Sequence, residues 1–216
     1  MGTVYSGFTP STPEHLLLDA GAFLKNFDPM NDTFESAVTA GKLIGATAGG
    51  GSFSAVPEIR QIEVDGVKGA AKGMETIDTW KVALTANVKE ITAEALKLTL
   101  AAAKVEDSGD KVPEGYQRIT ARNDLALDDY CDNVVWIGRL SGSLKPVIIE
   151  VSNALATNGL SITMADKSEA TIPITMNGHY DAQEITNLET PPFAIYYPKM
   201  DAAAATVQTE EETGDA

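Results

Sequence analysis

Apolar and polar residues alternate along much of the chain, and this pattern predicts β-strands. The clearest stretch is residues 77–88, in which nearly every second residue is apolar. The apolar positions on one side are Trp80, Val82, Leu84, Ala86 and Val88. Such a period of two is that of a strand with one buried face. Further strands are predicted at residues 15–25, 58–64, 116–122, 133–139, 145–151, 160–164, 170–176 and 193–197.

One segment, residues 92–103, has the period of an α-helix. Ile91, Ala95, Leu98 and Ala102 share one helical face, and Thr92 is placed to cap the N-terminus. Residues 26–40 show neither period and are typical of a loop. Strands therefore outnumber helices several to one. We predict a mainly β fold, a β-sandwich or barrel, with one flanking α-helix at about 92–103.

The length of 216 residues is that of a single domain. Residues 1–13 are polar and contain two prolines, which predicts an extended N-terminal arm. Residues 14–200 are expected to form one β-rich domain. Residues 201–216 hold five acidic residues and no basic residue, which predicts an acidic, flexible C-terminal tail.

The charge balance excludes several classes of partner. The chain has 16 Lys and Arg against 31 Asp and Glu, a net charge of −15. A surface this acidic disfavours binding to nucleic acid by phosphate neutralisation and to anionic membranes. No apolar run approaches the roughly 20 residues of a membrane span, and residues 1–15 contain no basic residue, so no signal peptide is expected. The protein is expected to be made in a cytoplasm.

Side chains suited to catalysis or metal binding are scarce. One cysteine, Cys131, and two histidines, His15 and His179, are too few for a structural zinc site. They also leave little histidine-based acid–base chemistry. We therefore expect no catalytic, cofactor-binding or metal-binding residues, no cofactor and no enzymatic activity.

Two segments come close to ligand-binding loops and fail at a required position. Residues 45–52 approach a phosphate-binding loop, but Gly51 stands where the lysine is needed. The glycines are instead interpreted as allowing the backbone to turn or to approach a neighbour closely, in a region that becomes strand-like at Phe53. Residues 61–72 approach a calcium loop, but Lys72 occupies the twelfth position, where a bidentate Glu is required. The dipeptide Asp65-Gly66 is instead expected to form a turn at the end of the strand at 58–64.

A series of short segments, in a fixed order, resembles the major tail (tail tube) proteins of long-tailed phages of Gram-positive bacteria. The resemblance covers about residues 14–198. The segments that carry it are 16–23 (LLLDAGAF), 44–51 (IGATAGGG), 57–69 (PEIRQIEVDGVKG), 72–73 (KG), 90–96 (EITAEAL), Tyr130, Asn133, 136–138 (WIG), 141–143 (SGS), 145–149 (KPVII) and 191–197 (PPFAIYY).

The resemblance implies both a fold and a role. The fold is two packed β-sheets flanked by a helix, and the subunits are virion proteins that join into rings, usually homohexamers. Rings stack into the tail tube, with a tape measure protein inside and the tail terminator and distal tail proteins at its ends. Viral DNA passes through without specific binding, and no membrane is involved. Assembly takes place in the host cytoplasm, and an acidic lining would keep DNA from adhering to the wall.

Three other functions fit the same sequence. A tail terminator or distal tail protein would share the fold but form single rings. A carbohydrate-binding or adhesion module could use a β-sandwich, although aromatic residues make up only 6% of the chain and only Tyr196 and Tyr197 are adjacent. An enzyme could use an unrecognised pair of carboxylates such as Asp128-Asp129, although adjacent acids arise by chance among 31.

The expected assembly contacts follow from the physics of sheet edges. Open edges present unpaired N–H and C=O groups, and closure into a ring pairs every edge with that of a neighbour. Residues 1–13, 42–54 and 105–115 are predicted to supply additional contacts between rings, as segments that become ordered on docking.

Overall fold

A computed structural model describes residues 6–164, 166–167, 169–182 and 190–199. Within these residues the chain forms nine β-strands and two short α-helices. The strands are β1 (Ala22–Lys25), β2 (Thr47–Gln61), β3 (Glu75–Val88), β4 (Ala103–Glu106), β5 (Arg118–Ala121), β6 (Cys131–Gly138), β7 (Val147–Ala156), β8 (Ile172–Asn177) and β9 (Phe193–Tyr196). The helices are α1 (Phe34–Thr39) and α2 (Ala93–Thr99), and 3-10 turns occupy Thr12–His15 and Leu127–Asp129. The expectation of a mainly β fold is confirmed.

Seven strands form one antiparallel sheet, which folds over on itself at β7. The strand order is β1-β6-β7-β8-β3-β2, and β9 pairs with the free side of the first half of β7. Ile148–Val151 of β7 pair with both β6 and β9, whereas Leu155 and Ala156 pair with β8. Between these halves Asn153 has a positive φ of 46°, a conformation that asparagine tolerates better than most residues. The first half of β7 therefore lies in one layer with β1, β6 and β9, and its second half lies in another layer with β8, β3 and β2.

The main core lies between the two layers. The alternation predicted for residues 77–88 is confirmed, because Val82, Leu84, Ala86 and Val88 are all buried. These side chains share one cluster with Ile172, Ile174 and Met176 of β8 and with Phe23, Val134 and Val151 of the opposite layer.

A smaller core lies on the other side of β1 and β6, under α1. It consists of Leu24, Phe27, Ala37 and Val135. The Thr33 side chain accepts a hydrogen bond from the Ser36 amide at 3.2 Å and so caps α1. The prediction of a loop over residues 26–40 is therefore wrong at α1, because a six-residue helix is too short to show a period in the sequence.

The predicted helix at 92–103 exists but is shorter. Thr92 caps it as predicted, accepting a hydrogen bond from the Ala95 amide at 3.1 Å. The helix ends at Thr99, and Ala101 adopts a positive φ of 55° before β4 begins. The last residue of the predicted helix, Ala103, instead pairs with Ala121 at the start of a separate two-stranded sheet. The fold thus has two helices rather than the single one expected.

Other strand predictions need smaller corrections. Residues 160–164 form no strand. The strand predicted at 58–64 is the last part of the much longer β2, which ends at Gln61. The turn at Asp65-Gly66 does form, with the Val67 amide donating to the Val64 carbonyl at 3.2 Å. The predicted C-terminal tail, 201–216, lies outside the described residues.

Candidate assembly surface

The β2–β3 hairpin extends well beyond the layer to which it belongs. Strand β8 pairs with β3 only from Ala83 to Val88. Beyond that point β2 and β3 pair with each other alone, out to Gln61 opposite Glu75. We call residues 56–81 the distal hairpin. An isolated two-stranded hairpin is marginally stable in water, so a partner for it is expected.

One face of the distal hairpin continues the apolar face that fills the core. Within the body this face carries the buried Val82 and Leu84. Further out, Ile59 and Ile77 are direct cross-strand partners on the same face, and they are 59% and 50% exposed. A register shift at Glu58/Ile59 maintains this alignment. The core pattern thus continues past the end of the core and leaves apolar side chains exposed, which makes this face a candidate contact surface.

The opposite face of the distal hairpin carries two ion pairs and one exposed apolar side chain, Val56. Lys81 Nζ lies 3.2 Å from Glu58 Oε2, and Arg60 Nε lies 2.9 Å from Asp78 Oδ2. Exposed ion pairs of this kind add little stability. Their effect here is to keep one face hydrated, so the hairpin is amphipathic and has a defined side for a partner.

An aromatic cluster fixes the hairpin at its root. The Phe193 ring of β9 packs against Phe53 and Trp80, with ring centroids 5.8 and 5.5 Å apart. Tilted aromatic pairs at these separations are stabilising beyond their buried area. Strand β9 therefore sets the direction in which the hairpin leaves the body.

Pro57 interrupts the free edge of β2. This strand ends the order of the sheet, so its outer side is open. Proline is tolerated in a sheet only where the missing N–H would point away from the neighbouring strand. The open edge consequently lacks a donor at Pro57, which disfavours pairing with another chain along its whole length. The apolar face, rather than the edge, is the better contact surface of the distal hairpin.

The glycine-rich residues 42–54 serve packing within the chain. Thr47 onwards belongs to β2, as the strand-like character at Phe53 predicts. A Cβ on Gly51 would lie 2.0 Å from the Thr85 carbonyl oxygen and 2.5 Å from the Phe23 ring. The interpretation of these glycines as a site of close approach is confirmed at Gly51. A cavity of about 330 Å³ lies beside them, lined partly by Leu17, Phe23, Phe53 and Trp136.

The other two segments predicted to make contacts lie at the surface. Residues 6–11 are exposed, and residues 1–5 lie outside the described part of the chain. Of residues 105–115, the first two end β4 and most of the rest form exposed turns. Their role in contacts between subunits stays a prediction.

The side chains with chemical potential are spread through the fold. Burial raises the pKa of the Cys131 thiol, which disfavours the reactive thiolate. His179 Nδ1 lies 3.1 Å from the Asn153 carbonyl oxygen, and its ring packs edge-on against Tyr130. Among the described residues, no three or more His, Cys, Asp or Glu side chains come together as a possible metal site.

Asp129, of the pair considered for acid–base chemistry, has structural partners, and so does Glu150. Asp129 Oδ2 accepts hydrogen bonds from the Ala126 amide at 2.7 Å and from Arg122 at 2.6 Å. Glu150 accepts hydrogen bonds from Asn133 at 2.8 Å and from the Tyr196 hydroxyl at 2.9 Å. Burial and the neighbouring Glu150 raise the pKa of Tyr196. This network links β6, β7 and β9.

Sequence reasoning did not single out the distal hairpin. The signal was present, since the alternation of 77–88 and the apolar Ile59 and Ile62 are visible in the sequence. The sequence does not reveal where β8 stops covering β3, and that position decides which apolar residues are left exposed.

A scan against protein-family models finds none that matches this chain, and a search of curated protein sequences finds no match. Neither α-helix in the described part of the chain has the length and apolar character needed to cross a membrane.

Proposed function

We propose that this protein is the structural subunit of a phage tail tube. Copies associate into rings, hexameric by analogy with the family it resembles, and the rings stack into a conduit for DNA in the virion tail. The observation that carries the proposal is the exposed apolar face of the distal hairpin, with Ile59 and Ile77 at its centre.

The shape of this surface supports head-to-tail assembly, which does not stop at a symmetric dimer. The distal hairpin is a protrusion, and a protrusion is covered by a differently shaped surface on the next copy. Such a head-to-tail contact is heterologous, so it either closes into a ring or continues as a filament. A tube of stacked rings uses both outcomes, one in the plane of the ring and one along the axis.

Two further observations support the tube. The segments that resemble tail tube proteins extend over about residues 14–198, and one of them, 57–69, includes the β2 strand of the distal hairpin. The net charge of −15 suits a conduit, because a negative wall repels the phosphates of passing DNA.

The experiment is electron microscopy of the purified, untagged chain, combined with a matched pair of substitutions. Ile59→Glu and Val56→Glu each place one negative charge at an exposed β2 position, 59% and 55% exposed respectively. They lie on opposite faces of the hairpin. We expect wild type and Val56→Glu to form long hollow tubes with a regular axial repeat, and Ile59→Glu to remain unassembled with an unchanged unfolding free energy.

Different outcomes lead to different conclusions. Isolated rings of wild type under every salt condition would contradict the tube and favour a terminator or distal tail protein. Monomers under every condition would contradict self-assembly of the chain. Tubes from Ile59→Glu as abundant as those from wild type would remove the distal hairpin from the contact.

A further inference from the structure

The outer end of the distal hairpin is a folded loop. Residues 62–74, here called the tip loop, are held by two turns, one between Val64 and Val67 and one between Ala71 and Met74, with hydrogen bonds of 3.2 and 3.0 Å. The Gln61 side chain donates to the Gly69 carbonyl at 3.1 Å. Side chains on this loop are therefore presented in a defined arrangement, which lowers the entropy cost of binding.

The tip loop carries two lysines without ion-pair partners among the described residues. Lys68 and Lys72 are exposed and lie four positions apart in the sequence. The other two cations of the distal hairpin, Arg60 and Lys81, are both paired with acids across the ribbon. The basic side chains along the strands are thus paired within the chain, whereas the lysines at the tip are available to a partner.

The distribution of charge over the whole chain indicates what that partner is. The distal hairpin contains four basic and five acidic residues, so it is close to neutral. The remainder of the chain contains 12 basic and 26 acidic residues. A second copy can approach the distal hairpin with little repulsion, whereas two bodies repel each other strongly. The strongly acidic body of another copy is also electrostatically complementary to two free lysines.

We propose that Lys68 and Lys72 bind an acidic surface on the body of a second copy and so set the position of the distal hairpin on its neighbour. This inference rests on the proposed self-assembly and identifies the charged part of its contact. The apolar face supplies burial, and the two lysines supply orientation and selection against other docking positions.

The test reverses these two charges against a matched control. The variant K68E/K72E and the control K145E/K199E change the net charge equally, and all four lysines are exposed and lack ion-pair partners among the described residues. We expect K68E/K72E to raise the critical concentration for assembly of the purified chain at least about tenfold, while the control stays within about threefold of wild type. The difference should shrink at about 1 M salt, where the Debye length is about 3 Å.

The identity of the partner is tested by cross-linking assembled wild-type protein. A carbodiimide links lysines directly to contacting carboxylates, and mixing ¹⁵N-labelled with unlabelled chains identifies links between copies. We expect Lys68 or Lys72 to be joined to an acid outside residues 56–81 of another copy. Links confined to the Glu63 or Asp65 of the same loop would overturn the proposal.

The two proposals fail in different ways. If wild type assembles and K68E/K72E assembles equally well, the role of the lysines is wrong and the tube proposal stands. If wild type does not assemble under any condition, both proposals are wrong. Unfolding curves of each variant test whether the exposed substitutions leave the fold intact.

Discussion

At the scale of single residues, Gly51 is a position where packing dictates the amino acid. Its Cα faces the Thr85 carbonyl and the Phe23 ring so closely that no side chain fits. We expect Gly51→Ala to lower the free energy of unfolding by about 1–3 kcal/mol, the cost of overpacking a core. Gly69→Ala is the control, because a Cβ there meets nothing within 4 Å. Equal stability of the two variants in chemical denaturation would contradict the packing argument.

A second residue-scale feature, Glu94, links stability to pH. Hydrogen bonds from Lys25 and then Lys97, against a smaller opposing effect of burial, lower the pKa of Glu94 from 4.5 to about 2. A depressed pKa in the folded state means that the stabilisation is present above about pH 4.5 and is lost as the pH falls toward 2.

Glu94→Gln tests this link. The Glu94 side chain is 60% exposed, so solvent screening limits the expected loss at pH 7 to about 1 kcal/mol or less. The difference from wild type should disappear at the acid end of a pH series of unfolding curves. Glu114→Gln, at an exposed acid without an ion-pair partner in the described residues, should match wild type throughout. A difference at Glu94 that is constant with pH would contradict the ion-pair explanation.

At the scale of elements, the free edge of β2 is both long and interrupted. Pro57→Val restores an N–H donor at the position where the outward side of the strand lacks one. We expect copies of this variant to pair through the free edges of β2 in no fixed arrangement. The result would be irregular aggregates in place of tubes and a several-fold rise in thioflavin T fluorescence. Pro113→Val, in an exposed loop, is the control for loss of a proline. Normal tubes and unchanged fluorescence for Pro57→Val would mean that the edge is protected in another way.

The elements also show which parts of this fold can be predicted from the sequence. The alternation of 77–88 identifies β3 and its buried face because half-buried strands carry a period of two along their own length. Helix α1 is missed because six residues form fewer than two turns. Helix α2 is predicted too long because the alanines after Thr99 suit a helix, whereas Ala101 adopts a positive φ beyond its end and Ala103 pairs with β5. That pairing joins residues far enough apart that no local pattern reports it.

The candidate site has the same division between local and long-range information. The apolar character of Ile59 and Ile77 is visible in the sequence, but their exposure depends on the length of β8, which lies about 100 residues further along the chain. The structural role of Glu150 likewise depends on partners in other elements, Asn133 of β6 and Tyr196 of β9. The alternation of apolar and polar residues predicted the mainly β class, and tertiary contacts decided which surface remained open.

At the scale of the whole molecule, charge opposes the association that we propose for the distal hairpin. Each copy carries −15, and five of its acids lie in residues 201–216. Removing these residues leaves 16 basic and 26 acidic residues, a net charge of −10. Repulsion between copies falls accordingly. We expect truncation after Met200 to lower the critical concentration for assembly, with the largest effect at low salt and almost none near 1 M, where the Debye length is about 3 Å.

A full-length variant separates charge from chain length in this prediction. Replacing Asp201 and Asp215 by Asn, and Glu210, Glu211 and Glu212 by Gln, removes the same five charges and keeps all 216 residues. If repulsion is the cause, light scattering should give the same critical concentration for this variant as for the truncation. If the truncation alone assembles more readily, the segment acts through its bulk at a contact surface. If both variants have the same critical concentration as wild type, the five charges lie more than a Debye length from any contact between copies, where salt screens them.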